Sequence, residues 1–228
     1  MIRWCDLTNE EIVNVERKIP VIIPIGLIEA HGPHMPLGFD NESANYFAEK
    51  IADLANCILM PSINYGFADS NKEYPGTIGL RPITLIRVIV DICEMLCFHG
   101  FNKIIILSGH GANKMPCEMA FYEIWEKYPC LKAVYWNWWS EANVEGVHHA
   151  DKKETEVGLA IGSKINMSKA ENFKAEKYWY KEISRFTGNP KSGGINGKPV
   201  EADLEEGVLI RDQVIKILSE KVNEISKQ

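Results

Sequence analysis

The stretch Val21–Asn41, VIIPIGLIEAHGPHMPLGFDN, decides the reading of this 228-residue chain. An uninterrupted apolar run of this kind, ending in glycine, is the pattern of a strand buried on both faces, here Pro20 to Ile25. Directly beyond it come Glu29, His31, His34 and Asp40. Carboxylate and imidazole ligands gathered just past a buried strand suit a divalent cation. The same arrangement recurs downstream. Lys103 to Leu107 is a second apolar strand, followed by SGHGAN at Ser108 to Asn113. A third segment, HHADKKET at His148 to Thr155, adds imidazoles and carboxylates. Three segments that each bring His with other polar ligands point to a metal-dependent enzyme.

Strand and helix patterns alternate along the chain. Helices are expected at Glu42 to Leu54, Pro82 to His99, Lys114 to Lys127, Glu154 to Lys164 and Ala202 to Ser226. Pro82 suits a first helical turn and Gly100 a stop. Further strands are expected at Cys57 to Ile63 and Leu131 to Trp136. This order predicts an α/β fold with a mostly parallel central sheet covered on both faces. Ligands in such folds bind beyond the carboxyl ends of the strands, where the first two polar clusters lie. Phe186 to Val200, rich in Gly and Pro, is expected to be a surface loop packing near a substrate.

Bulk properties narrow the field. The length suits one domain over 1–228 with one sizeable core. A formal net charge of -6 argues against a nucleic-acid surface, which needs a basic face. No apolar run approaches the roughly 20 residues of a membrane span. The N-terminus lacks the apolar core of a signal peptide, so a cytoplasmic location is expected. Six scattered cysteines, mostly in apolar surroundings, read as reduced structural thiols.

Within the clusters, Glu29 and His31 are two apart and would point the same way from an extended backbone. Asp40 follows a Pro-Leu-Gly loop, and a carboxylate in such a place can bridge two metals. His34 reads as a residue that orients a ligand rather than as a ligand itself. His110 sits between Gly109 and Gly111 at a helix start, where the backbone turns tightly and the helix end favours negative charge. Asn113 is expected either to cap that helix or to face substrate. Of the aromatic group Trp136, Trp138 and Trp139, Trp138 is the candidate for contact with substrate, with core packing as the alternative. Glu154 is a candidate ligand, or else one of two acidic residues, with Glu156, in a helix's first turn. If the backbone around His148 and His149 is extended, the two rings point oppositely.

These motifs together resemble the creatininase (creatinine amidohydrolase) family. GLIEAHGPHMPLGFD follows its GxxExHGPHxPLxxD pattern, and Tyr74 to Leu80 its fPGTisL-like segment. GHGAN matches the GHGGN-like motif, and His149 to Thr155 the HAxxxET-like one. The resemblance implies a three-layer α/β/α sandwich, two divalent metal ions (Zn, Mn or Fe) and a homo-oligomer, often a hexamer. It implies Glu29, His31, Asp40 and His110 as ligands, with Asp40 bridging, and His149 as the proton-transferring residue. Creatininase itself takes another ligand from a glutamate two residues after the GH histidine, where this chain has Ala112. Relatives with the GHGGN form use the glutamate of the ET motif instead, here Glu154. The implied reaction is hydrolysis of a C–N bond in a small cyclic amide or formamide by a metal-bound hydroxide. Runners-up are hydrolysis of a cyclitol or sugar ketone, of a pyrimidine-nucleotide formamide, or of a peptide presented by a partner. A phosphorylated substrate would draw on Lys72, Lys191 or Lys198.

Overall fold

Every pairing of neighbouring strands in the sheet is parallel. The computed structural model describes residues 1–68, 71–173 and 193–228. Its strands are β1 (Ile2–Arg3), β2 (Val21–Ile25), β3 (Ile58–Leu59), β4 (Lys103–Ser108) and β5 (Lys132–Asn137), in the order β1-β3-β2-β4-β5. The helices are α1 (Asn9–Asn14), α2 (Phe39–Leu54), α3 (Pro82–Phe98), α4 (Lys114–Lys127), α5 (Trp138–Glu141), α6 (Lys152–Ala160) and α7 (Leu204–Lys227).

Strand alternation divides the core into two layers. Val21, Ile23, Ile25, Ile104 and Ile106 point to one face, where they pack with Leu85, Ile89 and Cys93 of α3 and Cys117, Ala120 and Ile124 of α4. Ile22, Ile105 and Leu107 point to the other, against Phe47 and Ile51 of α2, Val157 of α6 and Val214, Leu218 and Val222 of α7. With helices on both faces, β2 and β4 are apolar at nearly every position, as parallel strands must be. The three-layer α/β/α sandwich expected from the sequence is thus present.

Several boundaries differ from the sequence reading, for local reasons. The strand expected over Cys57 to Ile63 forms only two ladder residues: after Met60 bonds the Ile22 carbonyl, the Pro24 carbonyl is met by Ile63 rather than Ser62, so one extra residue around Pro61 interrupts the ladder. Ile63 then rejoins the sheet as a single bridge to Ile25. The helix expected over Glu154 to Lys164 ends at Ala160, where Gly162 takes φ +79 and the Ser163 N–H returns to the Gly158 carbonyl. The structure adds β1 and the short helix α1, which the capping box of Thr8 and Glu11 starts, to the elements expected from the sequence. Of the Gly/Pro-rich segment Phe186 to Val200, only residues from Gly193 onward lie within the described residues.

The topology sets the position of the site. After β2 the chain passes to α2 on one face, and after β4 to α4 on the other. The carboxyl ends of two adjacent strands therefore part to opposite sides and leave a crevice between them. Among the described residues, no helix is long and apolar enough to cross a membrane.

Candidate metal centre

The crevice brings all three polar clusters together. Glu29 and His31 lie on the loop after β2, and Asp40 lies in the first turn of α2 rather than in the loop before it. His110 follows β4, and Glu154 opens α6. Asp40 reaches this point only because Gly109 has no side chain: a Cβ there would lie 2.1 Å from the Asp40 carbonyl oxygen. The first turn of α2 can therefore rest directly on the end of β4.

Two three-residue groups share Asp40, namely Glu29–Asp40–His110 and His31–Asp40–Glu154. Asp40 Oδ1 is 3.1 Å from His31 Nε2, and Asp40 Oδ2 is 3.3 Å from His110 Nδ1. His110 Nδ1 is also 3.0 Å from Glu29 Oε2, and His31 Nε2 is 3.8 Å from Glu154 Oε2. Ligands about 2.0–2.2 Å from a common cation stand about 3.0–3.5 Å from each other. These separations are of that order. Glu29 and His31 are fully buried and Asp40 nearly so, yet both Glu29 carboxylate oxygens, Asp40 Oδ2 and His31 Nε2 have no hydrogen-bond partner. Buried polar atoms left in this state cost stability unless something else satisfies them, and a cation does so.

The imidazoles are oriented for this task by backbone carbonyls. A carbonyl oxygen only accepts, so the ring nitrogen facing it carries the proton. His31 donates from Nδ1 to the Glu29 carbonyl (3.0 Å), and His110 from Nε2 to the Phe67 carbonyl (3.1 Å). Each ring thereby turns its bare nitrogen toward the carboxylates, the tautomer a metal ligand needs. His149 follows the same rule. Its Nε2 donates to the Ala30 carbonyl (2.7 Å), and its Nδ1 lies 3.7 Å from Glu29 Oε2.

With no cation bound, the carboxylates draw a proton onto the imidazole nitrogens that face them, the proton a metal ion would displace. Burial works against a charged His31, but Asp40, Glu154 and Glu29 outweigh it and raise the imidazole to about 10. Burial likewise opposes a charged His110, and Glu29 and Asp40 again prevail. Glu154 moves the other way, pushed up to about 8 by burial, with Asp40 and Asp151 adding to the rise. Burial lowers His149. Three carboxyl groups and two imidazoles gathered at one buried point compete for protons, and a cation bound there would take the protons' place.

A cavity of about 220 Å³ opens onto this cluster and is lined by Glu29, Asp40, Asn71, His110, Trp139, His148, His149 and Glu154, among others. Two expectations change here. Trp138 does not line the cavity: it is fully buried and packs its ring on Phe47, 5.4 Å between centroids. Its neighbour Trp139 takes the place at the wall. WW in the sequence shows that one ring can face in and the next out, but not which. His148 and His149 both border the cavity. The segment is a turn rather than a strand, with Ala150 at φ +50, so period-two alternation does not apply.

Asn113 neither caps α4 nor reaches the cavity. Its Oδ1 accepts from the Phe67 N–H (2.8 Å) and its Nδ2 donates to the Gly26 carbonyl (3.2 Å). It thereby fixes the Phe67 segment, whose carbonyl orients His110. His34 donates from Nε2 to Thr155 Oγ1 (3.0 Å), supporting the turn that carries Glu154. Asn71 and Asp151 were not singled out from the sequence. Asn71 had no motif to mark it, whereas Asp151 sits where an N-cap is expected, just before a helical run.

The comparisons with known proteins fit this geometry. The family described as creatinine amidohydrolase (Creatininase) matches residues 5–222. Creatinine amidohydrolase of Pseudomonas putida is 29% identical over 100 residues, 42% of this chain and 38% of that protein. The 3-dehydro-scyllo-inosose hydrolase of Thermotoga maritima is 34% identical over 92 residues, 40% of this chain and 30% of that protein. The matched stretches thus span well under half of either relative. A mutant creatininase of Zn-Zn type superposes with a TM-score of 0.86 at 20% identity, covering 97% of each chain. At that identity the superposition speaks for the fold alone. With the motifs in order along the chain, the expected sandwich and a family match over nearly its whole length, this chain belongs to the creatininase family.

Proposed function

We propose that the chain is a dinuclear metal-dependent amidohydrolase that cleaves a C–N bond in a small cyclic amide or formamide. The observation that carries this is the division of Asp40, one carboxylate oxygen toward His31 and the other toward His110. Glu29, Asp40 and His110 would hold one cation and His31, Asp40 and Glu154 the second. Mixed imidazole and carboxylate ligation suits Zn, Mn or Fe. When bound, such a pair acts as Lewis acids toward a carbonyl oxygen and acidifies a water nucleophile.

The chain's own residues supply the rest. His149 is held with Nδ1 bare, so it takes up a proton there before it gives one to the leaving nitrogen. The Ala30 carbonyl keeps the ring in that tautomer. Trp139 offers an apolar wall for a flat heterocycle. The cavity lies below the roughly 300–1,000 Å³ of sites for drug-sized ligands, which favours a small substrate. Lys72 and Lys198 do not line the cavity, and Lys198 pairs with Glu201, so neither supports a phosphorylated substrate. Lys191 lies outside the described residues. All six cysteines are free; Cys57, Cys93, Cys97 and Cys117 are buried, whereas Cys5 and Cys130 are exposed.

The test is to strip the protein of metal, reload it with Zn²⁺ or Mn²⁺, and assay cyclic amides, formamides, cyclitol ketones and short peptides. Turnover of a small amide or formamide by the loaded form alone is expected. Turnover of ketones or peptides only would overturn the substrate class.

We also propose a homo-oligomer. Met115, Met119, Tyr122 and Trp125 are exposed along α4 beside β5, whose outer edge has no neighbour among the described residues. Apolar side chains next to an open strand edge mark an interface. Light scattering should give a multiple of the 25.8 kDa chain mass. A monomer mass at every concentration would overturn this.

A further inference from the structure

We infer that Asp151, which supplies no ligand to the centre just described, is the positioning residue that holds its third segment in register. The inference rests on the proposed metal centre and concerns how this chain builds it. Asp151 is 4% exposed, a buried carboxylate just outside the cavity wall. Its Oδ1 accepts from the Glu154 N–H (3.0 Å) and its Oδ2 from the His148 N–H (2.9 Å). One carboxylate thus fixes the backbone at both ends of the segment that carries His148, His149 and Glu154.

The surrounding bonds close the unit. The Ala150 N–H donates to Glu154 Oε2 (2.6 Å), which fixes the side chain as well as the backbone of Glu154. The Thr155 hydroxyl donates to the Asp151 carbonyl (2.7 Å), so its oxygen is left to accept from His34 Nε2 (3.0 Å). Ala150 keeps a left-handed conformation at φ +50, which an alanine adopts only where its neighbours require it. The bonds from His148 and Glu154 to Asp151 span that residue on both sides. Without the carboxylate, the turn loses its bonds on both sides of the strained residue, and the Ala150 N–H bond to Glu154 is left to hold the spacing between the His149 ring and Glu154 more loosely.

A plain helix cap provides the control. Asp203 begins α7 with the same chemistry, accepting from the Glu205 and Glu206 N–H groups at 2.8 and 3.1 Å, but it lies outside the cavity lining. Loss of either cap weakens a helix; only loss of Asp151 should reach the metal.

The experiment is Zn²⁺ titration by calorimetry of the full chain and its variants, with thermal unfolding alongside. Asp151→Ala should weaken Zn²⁺ binding by roughly 10–100-fold, the usual effect of removing a group that orients ligands. Asp203→Ala should lower the melting temperature comparably and leave Zn²⁺ affinity within about twofold, well short of that orienting effect. Asp151→Ser keeps a cap on Glu154 but cannot also hold His148; it should fold normally and still bind Zn²⁺ more weakly than wild type. Wild-type affinity in a folded Asp151→Ala or Asp151→Ser protein would overturn the inference, as would an equal loss in Asp203→Ala. Wild-type protein that takes up no Zn²⁺ would instead overturn the metal centre itself.

Discussion

His149→Ala is expected to lower kcat by roughly 10²–10⁴-fold, the usual contribution of a positioned proton carrier. Glu29, His31 and His149 also lie close enough together to hold an ion, but the two groups that share Asp40 are complete without His149, so bound metal should be retained. The Nδ1 atom of His149 faces Glu29 and its Nε2–H is occupied by the Ala30 carbonyl, so the ring must begin neutral in order to accept a proton. Burial lowers its pKa below the ordinary imidazole value. Activity should therefore rise with pH as His149 loses its proton, with a midpoint below about 6.5, the unperturbed histidine value. The low-pH limb should disappear in the variant. Metal lost along with activity would make His149 a ligand, an outcome its 3.7 Å separation from Glu29 Oε2 leaves open to test. His148, which also borders the cavity, should affect KM more than kcat when replaced by alanine.

Asp40→Ala should have the largest effect on metal content. Metal analysis of wild-type protein purified without chelator should approach about two ions per chain, as a two-metal hydrolytic site requires. The variant loses a ligand from both groups at once. Substitution of an outer residue that merely orients a ligand costs about 10–100-fold in affinity, so loss of a shared ligand should exceed that at both positions. A wild-type stoichiometry of one that Asp40→Ala leaves unchanged would refute the bridging role. The protein itself should remain folded. The Asp40 side chain contributes little to the apolar layers on either side of the sheet.

The candidate ligands were legible in the sequence because their chemistry is local. Glu29, His31 and Asp40 follow one apolar strand, and His110 follows another. A parallel sheet with crossover helices places the carboxyl ends of such strands together. The residues that orient those ligands were mostly not legible. The carbonyls of Glu29, Phe67 and Ala30 leave no mark on side-chain patterns, and any residue type provides one. Asn113 was visible as a polar residue at a helix start, but its partners, Phe67 and Gly26, are remote in sequence.

The sequence by itself determined the α/β class, the run of buried strands and the kinds of ligand available, because hydrophobic periodicity and side-chain chemistry are properties of each segment alone. Tertiary structure decided which oxygen of Asp40 faces which histidine, which ring nitrogen is left bare, and that Trp139 rather than Trp138 meets the cavity. Those outcomes depend on how close α2 comes to the end of β4 at Gly109, and on a left-handed turn at Ala150 held from both sides by Asp151. Both are contacts between segments far apart in the chain or conformations imposed from outside the residue, and no local pattern encodes them.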